Sequence, residues 1–563
     1  MKQTKPNWAV HALPSLADVA FVVPILFVFG KMNGARSLLG DGDTGWHVRT
    51  GEWILRHGQA PHRDIFSFSM TGQPWFAWEW LWDVVFAWLH QRGGMAAVVL
   101  GSMLVISLTF ALLYGVARRR SGNPLIAIGV TVLAAAASTI HWLARPHLVT
   151  LLFLVIFYDL LDRLPALSKG ARQRVACAVL PALTVLWTNL HGGFVAGVAV
   201  ILVFAAAEGV RALSAARRED RRAALRLGAL YLAAAGACLA ASFLNPYFYH
   251  LHVHIAQYLT DPYQYQHISE FLSLSFHHPA ARYLEAMLLL AGAAAVWQLR
   301  RARLADAMLI AAWGHLALVS ARNIPIFAIL AAPAVAGMLE AWLTELAGAR
   351  VAPWLRSLAA RFQESARGAG ALEGIWRLHA ASALALGLLA MLFYLPAPAP
   401  RFRAEYDPRV YPAQALEVLR RAPAARRVFA NDEWGDYLIY QLYPRSKVFV
   451  DGRSDFYGRA FEEKYLDVLN VKYDWEQTLR GYGIDTILLP PDAPLAGALK
   501  ESRRWSLDYD DGVALVFHAT GVAPGKGEQV SAAPKSGGEN RDRRITKLHP
   551  RDLGITNTTA KRS

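Results

Sequence analysis

Apolar residues come in blocks of roughly 16 to 24, about the length at which a helix rising 1.5 Å per residue crosses a hydrocarbon core of ~30 Å. The blocks fall at 13–30, 94–117, 123–141, 147–162, 175–190, 192–210, 227–244, 283–299, 304–320, 324–345 and 378–396. They predict an α-helical polytopic membrane protein with about eleven transmembrane helices. The first block is not followed by a small-residue cleavage site, so it reads as a retained helix rather than a removed signal peptide. Segment 78–90 is too short to span and carries Glu79 and Asp83 among tryptophans. It is predicted to lie in the headgroup region, where tryptophan is favoured. Segment 44–57 sets Trp46, Trp53 and Ile54 on one helical face and is predicted to lie flat on the membrane, with His47 and Glu52 turned to water.

Beyond 396 the pattern changes. The run 396–400 alternates Pro and Ala and forms a stiff linker, after which 401–520 reads as a small α/β domain. Strands are predicted at 427–431, 436–443, 447–451 and 485–489, with a terminal hairpin at 505–519 turning on Asp511-Gly512 and helices at 412–421 and 457–470. Residues 521–563 are rich in Gly, Ser, Lys and Arg and are predicted to be disordered. The predicted organisation is therefore a membrane domain at 1–396 with a first external loop at 31–93, the domain at 401–520, and a tail.

Of the 563 residues 54% are hydrophobic and 18% charged, too apolar a balance for an ordinary soluble protein. The net charge of +15 does not indicate nucleic acid, because Arg and Lys cluster in short loops between the apolar blocks. With the N-terminus inside, the inner loops carry 23 Lys and Arg and the outer segments through residue 323 carry nine, which places the C-terminal domain outside the cytoplasmic membrane. Both cysteines, Cys177 and Cys238, lie inside predicted spans, so no disulfide framework is expected.

Once the sides are assigned, the polar motifs sort to the outer ends: Asp41-Gly42-Asp43, Arg145-Pro146-His147, Asn189-Leu190-His191, Asn245-Pro246-Tyr247 and Arg322-Asn323. Polar groups at membrane depth are costly and mark functional sites by default. Asp43 reads as a cap of helix 44–57, but one cap leaves two acids to explain. A carboxylate partly desolvated at the membrane edge is suited to general base work, and Asp41 and Asp43 are equal candidates. Glu79, an acid between tryptophans, needs a partner and is a third. Arg145 and Arg322 are candidates to fork onto phosphate oxygens, with snorkelling to lipid headgroups the alternative. His147 stands beside Arg145. Asn189, His191 and Asn245 fit either contacts to sugar hydroxyls or helix-end capping. Asp64 reads as a turn residue. His250, His252 and His254 do not share one helical face and have no neighbouring acid but Asp261, so no metal site is read there. In the C-terminal domain Asp432, Asp436, Asp451, Arg453 and Asp455 gather at predicted strand ends, in turn and cap roles or at the mouth of an outward-facing cavity.

This constellation resembles the GT-C superfamily of membrane glycosyltransferases, in the bacterial branch similar to dolichyl-phosphate-mannose protein mannosyltransferases. The resemblance rests on Asp41-Gly42-Asp43 directly after the first span, followed by segments 44–57 and 78–90, and covers about residues 13–345. The chain departs from relatives that carry an Asp-Glu pair at the first motif and a Pro-Pro pair where Pro74-Trp75 stands here. The resemblance implies a polyprenyl-phosphate-linked sugar donor, an acceptor that is a glycan, lipid or protein, and inverting transfer at the outer face of the bacterial inner membrane. No cofactor is demanded, although a divalent cation is compatible with the acids. The rival expectations are a lipid or glycan translocator, for which a polar path should continue through the inner half, and a catalytically inactive assembly partner.

Overall fold

Helix Pro124–Ser138 shows how local sequence starts these helices: the Asn123 side chain accepts from the amides of Leu125 and Ile126, and Pro124 fills the first turn, where no amide partner is needed. Ser15 and Asp18 make the reciprocal version, a capping box, at the head of Leu16–Leu26. The computed structural model of the chain describes residues 9–421 and 426–520, so Lys2, Lys5 and the predicted tail 521–563 lie outside the described residues.

Each predicted apolar block falls on helix. Among the described residues five helical stretches are long and apolar enough to cross a membrane: Trp80–Ser121, Pro124–His141, Phe194–Ser214, Arg218–Ala241 and Ala321–Gly348. Others are shorter, such as Leu304–Val319 and Ala380–Phe393, or begin with a wider π turn, as 175–190 does at Val175–Val179. Segment 78–90 forms a helix of its own, as expected: Trp80–Ser121 is two helices joined at Gly93 and Gly94, whose backbone is not helical, and the φ of +63° at Gly94 is one that glycine adopts without strain.

Helix Asp43–His57 departs from expectation, because most of it up to Ile54 is buried within the protein. Trp46 and Ile54 are buried, and so is His47, which was expected to face water. The helix lies so close to Trp80–Ser121 that a Cβ on Gly51 would stand 1.9 Å from the Asp83 carbonyl oxygen. At the opposite ends of the spans, Arg119 pairs with Asp159 at 2.5 Å and Asp162 at 2.8 Å. Arg120 pairs with Asp162 and Asp306, and the Tyr158 hydroxyl donates to Asp306 at 2.7 Å.

The C-terminal part carries a four-stranded sheet in the order β1 (Val428–Ala430), β2 (Thr486–Leu489), β4 (Leu515–Ala519), β3 (Trp505–Asp510). β1 and β2 are parallel, and β3 and β4 form the expected hairpin with Gly512 at φ +79°. Phe429, Ile487 and Phe517 align in register and are fully buried. Two predicted strands are absent. Residues 436–443 belong to helix Asp432–Leu442: Asn431 accepts from the Trp434 amide, and Trp434, Leu438 and Leu442 recur every four residues on the buried side. A short aromatic-rich run is ambiguous between the two periods, and here the cap decides. Residues 447–451 leave the sheet and meet the first loop, where the Val448 amide donates to Phe66 and Val448 accepts from Phe68.

That meeting is extensive. Arg453 donates to Asp451 and, at 2.8 Å, to Asp64, with its guanidinium 4.4 Å from the Trp75 ring centre. Asp64 also accepts from the Phe66 and Ser67 amides, so this turn residue anchors the C-terminal part as well. Tyr406 donates to the Gly42 carbonyl, and Asn33 donates to Asp407. A Cβ on Gly42 would sit 2.6 Å from the Glu433 carbonyl oxygen, so the close approach of the two parts requires glycine there.

Candidate active site

A cavity of about 630 Å³ opens between the helical part and the C-terminal part. Its wall includes Asp41, Asp43, Glu79, Arg145, His147, His191 and Arg322, which the sequence singles out, together with Asp432, Asp436, Arg453 and Asp455, for which the cavity mouth was one of two expected places, and also His141, Tyr258 and Glu270.

Arg145 is the centre of charge. One of its nitrogens is 2.8 Å from Asp41 and another 2.7 Å from Asp43. Asp43 is the first residue of its helix, yet it does not cap it. Asp41 accepts from the Asp43 amide at 2.8 Å, while the Asp43 carboxylate turns to Arg145 and to the Trp46 indole N–H at 3.0 Å. Burial pushes the Asp43 carboxyl up to about 7; Arg145 opposes the rise, and Asp41 and Glu270 add to it.

Glu79 lies against two histidines, with His191 Nε2 at 3.4 Å and His47 Nε2 at 3.8 Å. Trp187 donates to the Thr150 hydroxyl, which is left to donate to His191 Nδ1 at 2.7 Å, and the Gly193 amide donates to the same nitrogen. The proton of neutral His191 is thereby placed on Nε2, facing Glu79. Burial holds that imidazole down at about 3 and pushes Glu79 up to about 8. His47 Nδ1 and Asp83 share a hydrogen bond at 2.6 Å, a buried pair with no sequence signal beyond the polar residues themselves.

Glu270 was not anticipated. It lies 3.5 Å from both Arg145 and Arg322, with His141 at 3.9 Å. Burial alone would raise this carboxyl, but Arg322 and Arg145 outweigh it and bring it down to about 2. Arg322 also stacks on Phe271, 4.4 Å from the ring centre, in the same segment as Glu270. His147 donates to the His141 carbonyl at 2.7 Å.

Asn189 and Asn245 do not join this cavity. Asn189 donates to the Val185 and Leu244 carbonyls and accepts from Trp80, and Asn245 is used within its own turn. Both line a second, shallower and more apolar cavity around Trp80 and Phe243. The histidine run also differs from expectation, since an acid does stand beside it: His254 donates to Asp455 at 2.9 Å, and His252 bonds Ser242. Among the described residues no three His, Cys, Asp or Glu side chains are arranged to hold a metal ion. At Asp41 and Asp43 the positive charge is supplied by Arg145.

The chain superimposes on the archaeal oligosaccharyltransferase AglB from Archaeoglobus fulgidus, solved with an inhibitory peptide and a dolichol-phosphate. The TM-score is 0.52 at 11% identity, covering 84% of this chain and 69% of that one. The apo form of the Archaeoglobus fulgidus oligosaccharyltransferase gives 0.51 at 12%, with the same coverage. The chain thus shares its fold with these two oligosaccharyltransferase structures. ArnT from Cupriavidus metallidurans in the apo state gives a TM-score of 0.49 at 14% identity, covering 89% of this chain and 96% of that one. No family model and no curated protein matches the sequence. At these identities the likeness concerns the fold; the chemistry is read from the cavity.

Proposed function

We propose that the chain is an inverting glycosyltransferase that moves a sugar from a polyprenyl-phosphate carrier to an acceptor hydroxyl at the outer face of the bacterial inner membrane. The observation that carries this reading is the cavity in which one arginine holds two acids and shares a third with a second arginine. Asp43 removes the acceptor proton: it is the buried acid of the pair, and a carboxyl near 7 suits a base at neutral pH. Asp41 holds Arg145 and the turn. The acceptor oxygen attacks the anomeric carbon as the bond to the phosphate breaks, and Arg145 and Arg322 take up the charge developing on the leaving phosphate. That phosphate enters between the arginines, in the place the Glu270 carboxylate holds here. Glu79 with His191 Nε2–H, and His147 beside Arg145, are placed to meet sugar or acceptor hydroxyls.

The reading includes eleven spans with the C-terminal domain outside, and a division of the chain at 396–401. The C-terminal domain closes the cavity as one of its walls. Its test is mass spectrometry of surface glycans and glycolipids from a deletion strain. One defined sugar should be missing, wild-type protein should restore it, and Asp41→Asn with Asp43→Asn should not, at equal expression. Full restoration by the double variant would sink the mechanism.

A further inference from the structure

Asp436 reaches the cavity from helix Asp432–Leu442 of the C-terminal part and is buried. One of its oxygens accepts from the Gly452 amide at 2.9 Å. The other faces Asp43 across Gly452: a Cβ on that glycine would stand 2.7 Å from Asp436 Oδ2 and 2.5 Å from Asp43 Oδ1. The two carboxyl groups thus converge on one point in space, and a residue without a side chain keeps that point open.

Their surroundings are unequal. Asp43 has Arg145 at 2.7 Å and the Trp46 N–H at 3.0 Å. Asp436 has a peptide N–H, and among the described residues it has no ion pair. Two carboxylates this close in a buried site do not both ionise, and the one without a cation keeps the proton.

We propose that Asp436 is a positioning residue that stays protonated and donates its hydrogen bond toward Asp43, directly or through one water, holding Asp43 ionised and aimed into the cavity. The C-terminal part would then contribute a working group to the site as well as a wall. This assignment rests on the reading of Asp43 as the base. The other charged or titratable groups facing the pair include Asp41, Glu79, Arg145 and Glu270 across the cavity, and Asp451 and Tyr406 on the C-terminal side. Burial first, then Asp43 and Asp451, push the Asp436 carboxyl well above the usual carboxylate range, in the direction the geometry requires.

The decisive measurement uses the full-length protein and no substrate. Infrared difference spectra of the purified protein at pH 7, wild type minus Asp436→Asn, should show the loss of one protonated-carboxyl C=O component, while the component of Glu79, which Glu79→Gln removes, stays in both. An unchanged spectrum in that variant overturns the proposal.

A second arm reads the sugar product in the complemented deletion strain. Asn keeps both halves of the arrangement, a carbonyl for the Gly452 amide and an N–H for Asp43. Asp436→Asn should therefore recover activity to within about threefold of wild type, whereas Asp436→Leu loses about ten- to a hundredfold, the range for a hydrogen bond to a charged group. If Asp436→Asn is as inactive as Asp43→Asn, Asp436 is itself the ionised base and the proposal fails. A deletion strain with no missing sugar counts against the glycosyltransferase reading, and the infrared result still decides the state of Asp436.

Discussion

Two polar clusters sit at opposite ends of the helical part, and they are built on different rules. Around Arg119 and Arg120, the acids Asp159, Asp162 and Asp306 pair directly with the arginines. Around Arg145 the balance is reversed. Eight acids line the cavity against three arginines, and one of those, Arg453, is taken up by Asp451 and Asp64. The first arrangement satisfies its charges and fastens helix ends. The second leaves carboxyl groups displaced from their ordinary range beside open volume, and that pairing of charge imbalance with space marks a site.

The sharpest way to break the comparison is a reciprocal pair of substitutions. Gly452→Ala puts a methyl group 2.5 Å from Asp43 Oδ1 and should lower sugar transfer about a hundredfold while the protein stays folded, because small misplacements of a reacting group are that costly. Asp306→Asn should do the opposite. It removes a buried partner of Arg120 and should lower stability by about 3 kcal/mol, with transfer per folded molecule unchanged. Melting temperature in detergent and product per milligram of membrane protein separate the two. If Asp306→Asn loses activity without losing stability, the clusters do not differ as argued.

Glu270→Gln sharpens the same contrast with a smaller effect. If the Glu270 carboxylate stands where the donor phosphate must bind, neutralising it frees Arg145 and Arg322, and KM for a polyprenyl-phosphate sugar should fall about three- to tenfold. A rise in KM would mean that Glu270 helps to hold the donor.

The helices were legible because long apolar blocks leave a membrane protein few alternatives. Asp41, Asp43, Glu79, Arg145, His191 and Arg322 stand out from sequence because each is polar at the edge of an apolar block. The same signal left Asn189 and Asn245 open between sugar contacts and helix-end capping. An asparagine at a helix end can satisfy backbone carbonyls as well as face a ligand, and only the contacts tell the two apart. Glu270 could not be found this way, and Asp436, one of five charged residues named in the C-terminal domain, could not be matched to Asp43. Glu270 is one acid in a polar loop, and its meaning comes from two arginines that converge on it from distant segments. Asp436 lies on a helix that reads as a strand, and its neighbour Asp43 is almost four hundred residues away. Likewise the burial of His47 depends on the fit of Gly51 against Asp83, a tertiary fact.

Stability should fall as pH rises above about 5, in the direction opposite to activity. Asp43 and Glu79 have folded values near 7 and 8 against ordinary values of 3.8 and 4.5. Their raised carboxyls therefore stabilise the fold fully only below the ordinary values, and that contribution is lost as pH climbs through 7 and 8. Glu270 works in the other sense. Held near 2 against 4.5, it stabilises above 4.5 and loses that contribution as pH drops toward 2. Melting temperature should therefore peak near about pH 5 and decline toward pH 8, while transfer climbs across the same interval as Asp43 ionises. Glu79→Gln removes the group with the highest of these values and should flatten the decline between pH 6 and 8. A wild-type melting temperature that is level or rising from pH 5 to 8, with Glu79→Gln following the same curve, would mean that these carboxyls ionise at their ordinary values and that the imbalance of the cavity is neutralised by other means.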